Sequence, residues 1–442
     1  MRTSMKLRKN LKFDDLIDVL KANFSKIPEE RSEAHLGINI KDVMMSAFAC
    51  MYFKDPSLNQ FQKRLQDSRH QNNLKNMFGV EHIPSNNRMT EVIDTVSFGV
   101  FREIFIDYFK RLQRGKVLDI FKSIGDTYLL CLDGKEYHTS ENIHCDDCNQ
   151  RRQKDGNICF FHSFLGAVIV KPGIKQVVPL MPAEITKQRH KNKQGSELEA
   201  AKTFLKDFKI EHPKLKVTIL GDSLFSKNTF IKLISSYNLE YLLTVKPGDH
   251  KYLFTYMDNS NTSKSMEYID EKGLNHCFSW ENNVPLFAAA ESVKTNFCRY
   301  VKRNSTGDIA YQCTWVTSHE INHSNVQEIV KSARARWKIE NECFNTLTNQ
   351  GYNVEHNYGH GNENACFNYC LLTLLSFYIT QIFELTCKLY QQFRKHFSSK
   401  CHMNEVLRSL MSIFIVSSWE ALLYYWIYKN ETDKMFVVAD PP

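Results

Sequence analysis

Two short hydrophobic runs, Thr127–Asp133 (TYLLCLD) and Lys216–Asp222 (KVTILGD), each end in an aspartate. Runs of this length and texture make buried strands. FFHSFLGAVIV from Phe160 and QVVPL from Gln176 read as further strands around a turn at Pro172 and Gly173, and LEYLLTVKPGD from Leu239 as one more. With an amphipathic helix over Glu197–Asp207 between them, the middle of the chain is a mixed α/β core. Side chains become accessible to ligands at the C-terminal ends of buried strands in such a sheet. Asp133 and Asp222 are therefore the first candidate site residues.

The rest of the chain differs in texture. Residues 1–121 read as an all-helical domain, with helical spacing over Asp14–Phe24, an apolar run over Ile40–Phe53, and a helix start at Pro84 and Ser85 followed by the stripe Met89, Val92, Ile93 and Val96. The α/β core begins in 122–250. Short alternating stretches such as PLFAAAESV and AYQCTWVTS make 251–325 a β-rich insertion. Residues 326–442 return to helix and complete the core.

The chain has 442 residues, enough for two or three domains, and its 43% hydrophobic and 12% aromatic content leaves no long stretch that must be disordered. Its net charge of +8 is modest, but basic residues cluster at Arg2–Lys12, Lys110–Lys116, Lys187–Lys193 and Lys331–Lys338. Clusters of this kind neutralise phosphates, which makes a nucleic acid the leading partner; solvated helix faces are the alternative. Thirteen cysteines without a signal peptide read as reduced thiols in a cytoplasmic setting. Two apolar stretches, Phe367–Cys387 and Leu410–Tyr428, approach membrane-spanning length, but Glu384 and Glu420 interrupt them and the mean hydropathy is −0.40. Buried core helices, with no membrane, are the expectation.

A third acid comes from RARWKIENECFNTL, Arg334–Leu347. On a helix Arg336, Glu340 and Phe344 share one face, whereas Glu342 lies about 200° from Glu340 around the axis. Two aspartates and a glutamate that converge can hold a pair of hard divalent cations about 4 Å apart, Mg²⁺ or Mn²⁺, which activate water and stabilise the leaving oxygen of a phosphodiester. Spacing alone leaves helix caps and exposed loop acids as the competing reading.

Three stretches, LDGKEYHTS, ILGDSLFS and RWKIENECFNTLTNQGYNVEHNYGHG, together with IPSNNRMTEVIDTV further upstream, resemble the signature regions of bacterial insertion-sequence transposases of the DDE type, in insertion sequence family four. The resemblance implies a ribonuclease H-like core in which Asp133, Asp222 and Glu340 are the catalytic, metal-holding acids. It implies metal-dependent nicking of double-stranded DNA at terminal inverted repeats and strand transfer by the freed 3′-OH, in a homodimer that brings two ends together in a bacterial cytoplasm. Arg336 would hold a phosphate, Lys338 would join it as a DNA contact, and Trp337 and Trp315 would stack on an unpaired base, with a core role as the alternative for each tryptophan. The family's third motif carries a tyrosine three residues before the arginine and a lysine seven after the glutamate. Here Ala333 and Leu347 occupy those places, and Thr348 stands where close relatives carry lysine.

Between the first two acids, residues 138–162 offer Cys145 and Cys148 as a CxxC pair and Cys159 with His162 as a CxxH pair, a ligand set for one structural Zn²⁺. His144 competes for the fourth position, and four reduced side chains without metal are the alternative. His356 and His360, four residues apart in GYNVEHNYGHG, fall among glycines and read as a structural turn. Two other functions remain open: a DNA-binding protein derived from such a transposase that no longer cuts, and a host nuclease on the same core.

Overall fold

A computed structural model describes residues 9–29, 37–66, 68–187, 196–288 and 291–428. Arg2, Lys6 and Arg8 of the first basic cluster, and all of the third beyond Lys187, lie outside the described residues. The chain is mixed α/β and divides into two compact units that interleave in sequence: 1–117 with 137–161 and 345–442, and 118–136 with 162–344.

The first unit is mainly helical. Helices α1 (Phe13–Phe24), α2 (Ile40–Phe53), α3 (Leu58–Leu65), α4 (Ser68–Phe78), α5 (Asn86–Thr95) and α6 (Gly99–Arg114) come from the N-terminal part. They do not form a domain of their own, because the apolar run of α2 has almost no solvent-facing side and needs a partner. That partner is the 22-residue helix Ala365–Thr386, which packs on both α2 and α5. Polar groups on the long helix tie the two sequence segments together. The buried Asn368 donates from Nδ2 to the carbonyls of Ile93 (2.9 Å) and Val96 (2.7 Å), and Ser376 Oγ donates to Met51 O (3.1 Å). Among the described residues this is the one helix long and apolar enough to cross a membrane, and 94% of its most apolar window is buried inside the protein. The second apolar stretch is not one helix: Lys400–Ile413 ends before Phe414, and a new helix runs from Trp419 to Tyr428.

The second unit is built on most of one sheet, of which residues 137–140, 149–152 and 158–161 belong to the first unit. Among the described residues the main strand path is β2-β3-β1-β6-β7-β11-β10-β9-β8, with β4 and β5 pairing on β3. The strands are β1 (Tyr128–Ser140), β2 (Asn149–Arg152), β3 (Ile158–Val170), β4 (Val178–Pro179), β5 (Ala183–Glu184), β6 (Val217–Gly221), β7 (Glu240–Thr244), β8 (Lys264–Ile269), β9 (Asn275–Pro285), β10 (Lys294–Arg303) and β11 (Ile309–Thr317). Strands β1, β6 and β7 are mutually parallel. Parallel neighbours need a crossover, and the helices α7 (Glu197–Glu211) and α8 (Asn228–Ser236) supply the connections. Leu129, Leu130, Cys131, Ile219, Leu220 and Leu243 are completely buried, which explains the unbroken hydrophobic runs of the sequence. The segment expected to be β-rich opens with a helix, α9 (Lys251–Asn259), then forms the antiparallel strands β8 to β11. Its last strand, β11, pairs with β7, so it extends the core sheet. Strand β1 also runs further than expected, to Ser140 instead of ending at Asp133.

Candidate active site

The parallel register of β1 and β6 sets the two aspartates. Cys131 pairs with Leu220, and Asp133 and Asp222 each follow two residues later. Side chains two apart along a strand share a face, and adjacent strands lie about 4.8 Å apart, so both carboxylates leave the sheet at one level. Asp222 then starts a turn into α8, its Oδ1 accepting from the backbone N–H of Leu224 at 2.8 Å.

Glu340 arrives from a segment that is not the single α-helix its spacing predicts. Helix α10 (Val326–Arg334) ends, a turn passes through Ala335 and Arg336, and Ile339–Phe344 winds as a π-helix. Single π turns inside helices recur at functional sites. Phe344 anchors the far end edge-on to Phe164 at 6.0 Å. It also lies so close to Gly166 of β3 that a Cβ there would overlap its ring. Arg336 Nη1 sits 2.8 Å from Glu340 Oε1 and 3.3 Å from Asp133 Oδ2, so one guanidinium nitrogen joins the two acids. Glu342 faces Lys338 instead, at 3.9 Å.

A fourth carboxylate belongs to the group and was not anticipated. Glu197, in the first turn of α7, lies against Gly134 so closely that any side chain there would displace it. The Asp133 carboxyl is pushed up to about 7, chiefly by burial; Arg336 pulls it down, while Glu340, Glu197 and Asp222 add to the rise. Glu197 is raised as well, by burial and then by Asp222. Arg336 is the only cation within ion-pairing distance of these acids among the described residues. Four carboxylates against one guanidinium leave the cluster short of positive charge, the electrostatic condition that a divalent cation satisfies.

The other expected contacts divide. Trp337 is half-exposed, with the Arg336 guanidinium 5.2 Å from its ring centre. Trp315 is a correction: it is buried in β11, paired with Thr244 of β7 and Cys298 of β10, and cannot receive a base. The basic run Lys331–Lys338 is also less available than its charge suggests. Arg334 lies over the rings of Tyr311 (5.0 Å) and Tyr300 (5.9 Å), Arg336 is committed to the acids, and Lys338 faces Glu342. Leu347 is fully buried, and Thr348 donates from Oγ1 to Glu355 Oε1 at 3.2 Å.

The expected zinc ligands also rearrange. Cys145, Cys148, His162 and His360 present donor atoms that all lie within 4.8 Å of one another. His360 takes the place expected for Cys159, whose buried Sγ contacts the Phe160 carbonyl at 3.9 Å. His144 is stacked on Phe160 with ring centres 4.1 Å apart. The turn Gly351–Gly361 is thus more than structural, since it delivers His360 to the cysteines.

The chain matches no family model and no curated protein.

Proposed function

We propose that the chain is a DDE-type transposase with a ribonuclease H-like core, cutting double-stranded DNA at terminal inverted repeats and joining the freed ends to a target. The observation that carries this reading is Arg336 joining Asp133 and Glu340 beside Asp222, with all four residues in one compact unit. The strand order β3-β1-β6-β7, with β1, β6 and β7 parallel and the acids at β1 and just past β6, supports such a core.

Asp133, Asp222 and Glu340 would hold Mg²⁺ or Mn²⁺, which supplies an activated water and charge neutralisation at the leaving oxygen. The chain's own residues do the rest. Arg336 fixes the orientation of Asp133 and Glu340 before any substrate arrives, and its remaining N–H groups can take a phosphate oxygen. Asp133, with its carboxyl near 7, can hold a proton, and nearby positive charge would favour its release. Trp337 offers an exposed ring for an unpaired base at a cleaved end. DNA would be held by a homodimer, one end per active site.

A second reading, a transposase-derived protein that binds DNA without cutting it, draws on the missing lysine: the position is filled by the buried Leu347, with Thr348 bonded to Glu355. Purified protein and labelled DNA from the inverted repeats flanking the gene separate the two. The transposase reading predicts nicking in Mg²⁺ and loss of nicking but not of binding in Asp222→Ala. Binding without nicking in either Mg²⁺ or Mn²⁺ supports the second reading, and cleavage with no preference for terminal repeats supports a host nuclease.

A further inference from the structure

The Cys and His side chains gathered around residues 145–162 and 360 are chemically unlike the carboxylate site. Cys145 and Cys148 flank a tight turn in which the Cys148 N–H bonds the Cys145 carbonyl at 3.3 Å, and their sulfurs are 3.9 Å apart. The Cys145 N–H also points at the Cys148 sulfur at 3.4 Å. His360 Nε2 lies 3.5 Å from the Cys148 sulfur, and His162 belongs to the same group of donors.

His360 is oriented as a ligand. The Nδ1 of His360 is 2.8 Å from the Gly361 carbonyl, so Nδ1 carries the proton and Nε2 presents a bare lone pair toward the sulfur. The Nδ1 of His162 lies 3.7 Å from the Glu184 carboxylate. Position is built in as well. The Asp94 carboxylate accepts the backbone N–H groups of Asn362, Glu363, Asn364 and Ala365 at 2.8 to 3.0 Å, holding the turn that carries His360.

We propose that Cys145, Cys148, His162 and His360 bind one structural Zn²⁺. Two thiolates and two neutral imidazoles make a closed S₂N₂ set that zinc favours in tetrahedral geometry, and they cancel its charge where Cys148, His162 and His360 are buried. The ion ties a short loop with few apolar side chains to a turn more than 200 residues later, a link whose sequence separation Cys148 and His360 set at 212. It is separate from the carboxylate site and does not depend on the transposase reading.

The test is metal analysis of the full-length protein purified without chelator or affinity metal, together with the visible spectrum after cobalt exchange. The expected result is about one zinc per chain, and a cobalt form with thiolate charge-transfer bands and the intense visible bands of a tetrahedral site. Cys159→Ser keeps the metal; His360→Ala loses it; His360→Cys, which restores a donor, recovers it with a stronger thiolate band. A folded wild type without zinc and with only the weak spectrum of hexa-aqua-like cobalt overturns the proposal. So does loss of metal in Cys159→Ser with retention in His360→Ala.

Discussion

Asp133 on β1 and Asp222 just past the end of β6 each lie two residues beyond Cys131 and Leu220, the facing pair of these neighbouring parallel strands. This places two like charges at one edge of a water-poor sheet, a costly arrangement whose relief organises the rest of the site. Arg336 comes from one side, and burial holds Asp133 near 7.

Metal binding should therefore be strongly pH-dependent. The folded-state pKa of Asp133 lies above its unfolded value of about 3.9, so its protonated form favours folding and ionisation costs stability as pH rises from roughly 4 toward 7. The metal-free protein should lose this increment across that window. Mg²⁺ should raise the melting temperature at about pH 8 and have little effect near pH 5, where protons hold the site. Asp133→Asn should be more stable than wild type at the higher pH without metal and insensitive to Mg²⁺, as read by thermal denaturation.

Removing Arg336 should expose the carboxylate repulsion. Arg336→Ala is expected to cost about 1–3 kcal/mol at alkaline pH, because it leaves partly buried acids without their cation. The loss should shrink near pH 5, once Asp133 is protonated. Chemical denaturation of both proteins at the two pH values measures it, and an equal loss at both would detach Arg336 from Asp133.

Glu197 should act on Asp133 through charge. Glu197→Gln removes one of the groups that push Asp133 up, so the Asp133 carboxyl should titrate at lower pH in the variant. Gly134→Ala should move it in the same direction, since the added methyl displaces the Glu197 carboxylate. Carboxyl ¹³C chemical shifts against pH follow both.

Asp94 should be the structural acid of the helical unit. Burial alone would raise its pKa, but the N–H groups of Asn362, Ala365, Glu363 and Asn364 hold it below the usual carboxylate range. Its contribution is present above the unfolded value and lost as pH falls through the lower folded one. Asp94→Ala is expected to cost about 1–2 kcal/mol at neutral pH, as lost helix caps do, and less in acid. Urea unfolding monitored by helical circular dichroism tests this.

Much of the site was legible because its signals are local. Hydrophobic runs ending in an acid marked Asp133 and Asp222, and four-residue spacing separated Glu340, paired with Arg336, from Glu342, paired with Lys338. The π-helix at Glu340 was not legible, since it leaves that ion pair intact. Strand β1 was cut short because EYHTS lacks a hydrophobic run. Glu197 read as part of an amphipathic helix; its role depends on the missing side chain at Gly134, far away in sequence. His360 was lost for the same reason, as its partners at 145 and 148 meet it only in the folded chain. The N-terminal helices looked like a domain because sequence order hides that α2 needs Ala365–Thr386 as its cover.

The most direct measurement compares single-turnover nicking of terminal-repeat DNA by Glu340→Gln and Glu342→Gln at equal, verified DNA binding in Mg²⁺. The account predicts that Glu340→Gln abolishes nicking to the level of Asp133→Asn and Asp222→Asn, whereas Glu342→Gln, which breaks only the pairing with Lys338, nicks within a few-fold of wild type. Full activity in Glu340→Gln, or equal loss in both glutamate variants, would contradict it.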